Sequence, residues 1–196
     1  MMVELPWVQL YGMIITDKQK AIEKILDQEV VAIFQSSSEY GPRALGNRSL
    51  LFDPRNKNGK DIVNTIKKRE WFRPFAGTVL LQHATEWFEM GRIKESPYMS
   101  YAIPVKEDKK NIIPAITHVD GTCRIQTLTI EQNKNFYELI QLFYLKTNVP
   151  ILFNTSFNLA GEPLVETKED ALDTLKRSDI NYIYFPDLHS QSSQQC

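Results

Sequence analysis

The chain is poor in cysteine, poor in histidine and nearly without net charge. Cys123 and Cys196 are too few for a disulfide framework, so a reducing cytoplasm is the expected compartment. The three histidines, His83, His118 and His189, show no metal-site spacing, and no metal centre is expected. No apolar run approaches membrane-spanning length and no secretory signal opens the chain, so no membrane association is expected. A net charge of −1 and a pI near 6.3 do not suggest the broad basic face that binds duplex DNA. There is no internal repeat and no Gly/Ser linker. Residues 1–188 therefore read as one domain, and the polar segment 189–196 reads as a frayed tail with almost nothing to bury.

What is present is an uneven distribution of arginine. Five of the eight arginines fall between Arg43 and Arg73. A guanidinium is a planar fork of donors that matches phosphate and carboxylate. Such a cluster in a neutral chain suggests a local anion site.

Hydrophobic periodicity gives an alternation of helices and strands. Thr16 to Gln19 reads as a capping box before a helix with Ile22, Ile25 and Leu26 on one face. Val30 to Phe34, Arg48 to Phe52, Ala76 to Leu81, Tyr98 to Val105, Arg124 to Ile130, Val149 to Phe153 and Ile180 to Phe185 read as strands. Gly59 to Lys68 reads as a helix, and Ala84 to Phe88 as a short one. Asn135 to Lys146 is the clearest helix, with Phe136, Leu139, Ile140, Phe143 and Tyr144 in register. Thr167 to Asp170 caps the last helix. The order predicts an α/β (α+β) fold, a twisted mixed β-sheet with flanking helices.

Four polar clusters interrupt this pattern. Gly41-Pro42-Arg43-Ala44-Leu45-Gly46-Asn47-Arg48-Ser49 is a turn in which glycines permit close backbone approach while Arg43 and Arg48 clamp phosphate oxygens; a turn with two solvated arginines is the plainer reading. Lys67-Lys68-Arg69-Glu70-Trp71-Phe72-Arg73-Pro74-Phe75 sets arginines among aromatics, either as a preorganised phosphate site or as Arg stacked in the core and paired with Glu70. Thr117 to Gln126 puts His118 and Arg124 around an Asp120-Gly121 turn, where His118 binds phosphate, acts as an acid–base, or hydrogen-bonds the turn. Cys123 reads as a packing residue. Asn154-Thr155-Ser156-Phe157-Asn158 follows an apolar strand and offers amides and hydroxyls, or simply Asx turns. Each cluster alone has a structural explanation; together they suggest one shared site.

GPRALGNRS, REWFRPFA, SPYM, THVDGT with RIQT, and NTSFN with GEP, in order between about Val30 and Pro186, resemble the C-terminal part of O-carbamoyltransferases. That family includes nodulation-type and antibiotic-tailoring enzymes. The resemblance implies a YrdC-like fold, similar to the enzyme that makes threonylcarbamoyl-adenylate. It implies binding of carbamoyl phosphate and ATP and formation of carbamoyl-adenylate. Mg²⁺ is expected with the ATP. It further implies a separate actin-like domain or subunit that carries the metal-binding histidines and transfers the carbamoyl group to an acceptor hydroxyl. On these motifs Arg43, Arg69 and Arg73 are the expected catalytic residues. Arg48, Lys67, His118, Arg124, Asn154, Thr155, Ser156 and Asn158 are the expected substrate- or nucleotide-binding residues.

One departure stands out. The family usually has Gly-Arg-x-Glu just before GPRALG, and this chain has Ser36-Ser37-Ser38-Glu39. If that Arg binds phosphate, Ser37 removes a charge-assisted contact worth about 1.5–3 kcal/mol. A nucleotide- or RNA-binding module with reduced catalysis is therefore the alternative expectation. A structural subunit that docks a partner through Trp7 and Tyr11 is a third.

Overall fold

The computed structural model describes residues 14–186. Trp7, Tyr11 and the tail read at 189–196 lie outside the described residues. The strands are β1 (Ile14–Ile15), β2 (Val31–Phe34), β3 (Arg48–Phe52), β4 (Ala76–Leu80), β5 (Ala102–Pro104), β6 (Thr122–Leu128), β7 (Ile151–Ser156) and β8 (Tyr182–Tyr184). The helices are α1 (Lys18–Leu26), α2 (Gly59–Ile66), α3 (Ala84–Trp87), α4 (Lys134–Thr147) and α5 (Lys168–Lys176). The strands form one mixed sheet in the order β1-β8-β2-β3-β7-β4-β6-β5. The pairs β1–β8, β8–β2 and β4–β6 are parallel, and the others are antiparallel. No helix among the described residues is long and apolar enough to cross a membrane.

The longest helix forms where periodicity and capping agree. Phe136, Leu139, Ile140 and Phe143 are its buried stripe, the Asn133 side chain accepts from the Phe136 N–H, and Asn148 ends it in the left-handed region. In α5 the Thr167 and Asp170 side chains cap reciprocally. α1 packs on α4, and both rest on the sheet. Every residue of β2, β3 and β4 is buried, so none of these strands alternates between a core face and a solvent face.

Several boundaries differ from the sequence reading. At α1 the cap is Asp17, which accepts from the Gln19 N–H, so Thr16 is not the capping residue. The run Tyr98 to Val105 is strand only at Ala102–Pro104, because Met99 takes a left-handed φ of 55° and breaks extension. Strand β7 continues through Asn154, Thr155 and Ser156, which pair with Leu51, Leu50 and Ser49, so three residues read as loop belong to the sheet. The two-residue strand β1 carries too few residues to show a period.

Candidate anion-binding site

The site lies where β4 and β6 begin and β7 ends. A pocket of about 100 Å³ opens there, bounded by Pro42 to Ala44, Arg69, Pro74 to Ala76, Met99, Arg124 and Asn154 to Ser156. Sites for whole drug-sized ligands run to roughly 300–1,000 Å³. This pocket therefore suits one small anionic group, with the rest of a larger ligand outside it.

Buried polar side chains fix the loop that brings Arg43 to the pocket. Asn154 Nδ2 donates to the Ala44 carbonyl at 3.3 Å and to Thr78 Oγ1 at 2.9 Å. The Thr78 hydroxyl donates to Gln126 Oε1 at 2.8 Å, and Gln126 Nε2 donates to the Leu45 carbonyl at 3.0 Å. Three neighbouring strands thus grip two successive carbonyls. From the other side Glu39 Oε1 accepts from the Leu45 and Asn47 N–H groups at 2.8 and 2.6 Å. Gly46 has φ +117°, and a Cβ there would stand 2.3 Å from a Phe136 ring carbon, so only glycine fits against α4.

The second cation comes from the segment after α2. Asn64 is buried and donates through Nδ2 to the carbonyls of Trp71 and Arg73. Its Oδ1 accepts from Arg69 Nε at 2.7 Å. The Arg69 guanidinium then lies 4.2 Å from the Phe75 ring centroid. Arg124 enters from β6, and its Nε is buried without a partner among the described residues. Burial, then the nearby Arg73, and less strongly Arg124, push Arg69 down to about 10 against the opposing pull of Glu70. Burial and then Arg43 lower Arg124. The lining of this pocket contains no carboxylate.

The expected site residues divide. Arg43, Arg69, Arg124, Asn154, Thr155 and Ser156 come together on the pocket. Arg48 does not join them. It is 3% exposed, lies 3.6 Å from the Phe34 ring centroid, and donates to the carbonyls of Gln35, Ser36, Asn47 and Glu166. Its position inside a strand turns it into the core, where it ties loops together. Arg73 is half-exposed and paired with Glu70 at 2.7 Å, the plainer reading of that residue. Arg55, from the same arginine-rich stretch, pairs with buried Asp53 at 2.6 Å.

Lys67 and Asn158 form a latch beside the pocket. Lys67 is 2% exposed, and its Nζ donates to the Ser156 carbonyl at 2.5 Å and to the carbonyl and Oδ1 of Asn158 at 2.8 Å each. Ser156 Oγ donates to Asn158 Oδ1 at 2.7 Å, so its own hydrogen is engaged. His118 faces the Phe75 carbonyl through Nε2 at 2.8 Å and Thr122 Oγ1 through Nδ1 at 3.2 Å. A carbonyl only accepts, so Nε2 carries the hydrogen. His118 thus braces the pocket wall from behind. Burial pushes the Cys123 thiol up to about 12, which removes it as a thiolate nucleophile at neutral pH.

Sequence reasoning did not single out Asn64, Thr78 or Gln126 as site residues, nor Glu39 as a brace. The available signal was a polar residue at an inward position of an apolar strand, as at Thr78 and Gln126.

A family profile described as carbamoyltransferase C-terminus matches residues 22–191. The nodulation protein NolNO of Sinorhizobium fredii is 48% identical over 164 residues, covering 83% of this chain and 24% of that protein. NolO of Bradyrhizobium diazoefficiens is 45% identical over 154 residues, covering 78% and 28%. The 3'-hydroxymethylcephem-O-carbamoyltransferase of Streptomyces clavuligerus is 37% identical over 141 residues, covering 72% and 26%. The chain spans about a quarter of the length of these relatives. Among solved structures, full-length HypF in its phosphate- and nucleotide-bound form aligns at TM-score 0.60 and 17% identity, covering 87% of this chain and 24% of HypF. A Sua5 from P. abyssi aligns at TM-score 0.57 and 13% identity, covering 88% and 51%. The fold is YrdC-like.

Proposed function

The chain belongs to the family of carbamoyltransferase C-termini, and we propose that it is the half of such an enzyme that activates the carbamoyl group. In this reading carbamoyl phosphate reacts with water, giving carbamate and inorganic phosphate. A carbamate oxygen then attacks the α-phosphorus of ATP, and the bond to the pyrophosphate oxygen breaks as the new O–P bond forms. The products are carbamoyl-adenylate and pyrophosphate. An acceptor hydroxyl on a separate actin-like domain or subunit then takes the carbamoyl group and releases AMP. The Streptomyces relative is named for O-carbamoyl transfer, which supports a hydroxyl acceptor.

The observation that carries this reading is the gathering of Arg43, Arg69 and Arg124 on one small pocket whose lining has no carboxylate. Confined guanidinium groups without a counter-charge repel one another, and an anion relieves that repulsion. They would neutralise and orient phosphate oxygens, and such transfer depends mainly on positioning and charge. Thr155 adds a hydroxyl, and half-exposed Arg73, next in sequence to Pro74 of the lining, would meet a further phosphate. Lys67 and Asn158 hold the Ser156 turn in place. With no carboxylate on the pocket wall, Mg²⁺ would arrive on the triphosphate and supply charge neutralisation there.

The test is titration of the purified chain with MgATP, with and without carbamoyl phosphate, followed by a pyrophosphate-release assay. Binding of both ligands and pyrophosphate release that needs carbamoyl phosphate are expected. ATP binding indifferent to carbamoyl phosphate, with no pyrophosphate even in the presence of a transfer domain, would overturn the reading in favour of a nucleotide-binding module.

A further inference from the structure

The segment from Ser96 to Tyr101 carries a strained residue at the arginine pocket. Ser96 fixes one end: its N–H donates to Thr127 Oγ1 at 2.7 Å and its hydroxyl to the Ile125 carbonyl at 2.9 Å. The Tyr101 carbonyl fixes the other end by accepting from the Ile125 N–H at 3.3 Å. Between these anchors on β6, Tyr98 and Ser100 are exposed and Met99 alone is buried. Met99 is also the residue with φ 55°. The other non-glycine residues with positive φ among those described are Gln28, Ser36, Lys68 and Asn148, all polar and exposed. A left-handed backbone costs any side chain beyond glycine, and a thioether chain gains no local hydrogen bond in return.

Core packing does not account for that cost. Met99 is 4% exposed yet stands apart from the main hydrophobic core, and it lines the arginine pocket. The lining has a charged side, with Arg43, Arg69 and Arg124, and an apolar side that includes Phe75, Ala76 and Met99. Ala76 is fixed by strand pairing to both neighbours of β4, and the Phe75 ring is held between Phe153 and Arg69. Met99 differs from them in being delivered by a loop at a backbone cost. Strain kept at a site points to a constraint that the site imposes. A phosphate needs only the guanidinium side, so the apolar side serves whatever the phosphate carries.

We propose that Met99 is a specificity-determining residue that sets the size of the acyl group the pocket accepts. The unsubstituted carbamoyl group fits between the guanidinium groups and the thioether chain. An alkyl substituent on the carbamoyl nitrogen would need the space that Met99 fills, so N-alkylcarbamoyl phosphates are turned away. The inference rests on the carbamoyl-activating function proposed above, and it names the residue that would restrict that function to the smallest carbamoyl donor.

The test is calorimetric titration of the full chain with inorganic phosphate, carbamoyl phosphate and N-propylcarbamoyl phosphate. Wild type, Met99→Leu, Met99→Ala and Met99→Gly are compared. Met99→Ala removes three heavy atoms and the propyl group adds three, while Met99→Gly suits the left-handed φ and keeps the test open where the alanine variant does not fold. Wild type and Met99→Leu are expected to bind the propyl compound at least about 100-fold more weakly than carbamoyl phosphate, since each excess methylene in a closed pocket costs about tenfold or more. In Met99→Ala and Met99→Gly that gap is expected to shrink to about tenfold or less, with phosphate affinity unchanged. Equal affinity of wild type for the two carbamoyl compounds, or a gap that persists in both small variants, overturns the size filter and leaves the proposed function standing. Loss of phosphate affinity in both small variants overturns it too, because Met99 would then serve only the pocket's shape. Failure of wild type to bind carbamoyl phosphate overturns the proposed function and the filter with it.

Discussion

Replacing Arg124 by Met should move stability and anion affinity in opposite directions. Arg124 reaches the pocket from a buried strand, its Nε has no hydrogen-bond partner among the described residues, and Arg43 repels it. A buried donor left unsatisfied costs about 1–3 kcal/mol, and Met fills a similar path without that donor. The variant should gain about 1–2 kcal/mol, which raises Tm by about 2–8 °C for a chain of this length. A charge-assisted hydrogen bond to phosphate contributes about 1.5–3 kcal/mol, so pyrophosphate should bind about 10- to 150-fold more weakly. Calorimetric unfolding gives the first quantity, and titration with pyrophosphate at fixed low ionic strength gives the second, because salt screens the exposed part of the pocket. A Tm that falls by several degrees would show that Arg124 serves the fold. An unchanged Kd would show that the pocket is not the anion site.

Gly46→Ala should cost about 1–2 kcal/mol for its positive φ and about 1–3 kcal/mol more for the 2.3 Å approach to Phe136; a loss under about 1 kcal/mol in denaturant unfolding would mean that the loop is not held against α4. Asn64→Ala leaves the pocket's charge intact but frees Arg69 and removes a donor from the Trp71 and Arg73 carbonyls. Stability should drop by about 2–3 kcal/mol and pyrophosphate affinity should fall with it, whereas unchanged affinity would deny Asn64 its positioning role. Lys67→Met removes the donor to the Asn158 carbonyl, about 1–3 kcal/mol, while the Ser156 carbonyl keeps the Asn158 N–H; an unaltered Tm would contradict the latch.

The sheet and its helices were legible because burial sets a period, and the strands that carry the pocket are mostly buried. The direction of each cation was not. Arg43 and Arg48 sit five residues apart in one glycine-rich segment. One lies in a loop gripped by Asn154 and Gln126, while the other begins a strand and turns inward onto Phe34. Residue type reports that a guanidinium is present. Only the strand register decides whether its donors meet carbonyls or a cavity. The same holds for Asn154, which read as loop and proved to be the strand residue that pins the loop. Ser36 takes a left-handed φ of 49°, a shape that a non-glycine residue does not favour and that nothing in its residue type announces.

A cation outside the pocket lining still shapes the site. Four oxygens around Lys67 Nζ favour the ammonium, yet burial, and after it Arg69, push it down to about 7 from 10.5. Between those values the unfolded chain holds a proton that the folded chain has released. Stability should therefore rise with pH from about 7 towards 10.5, by at most about 1.4 kcal/mol per pH unit from this residue, and Lys67→Met should remove that increment. Over the same rise the pocket loses a nearby positive charge, so anion affinity should weaken as the fold strengthens. The converse follows by linkage. An anion bound against Arg69 offsets the repulsion on Lys67, raises its affinity for a proton, and makes binding take up a proton just above neutrality. Titrations in buffers of different ionisation enthalpy read that uptake directly. A proton count of zero at pH 8 would mean that Lys67 stays charged beside Arg69, and that its four oxygens outweigh burial after all.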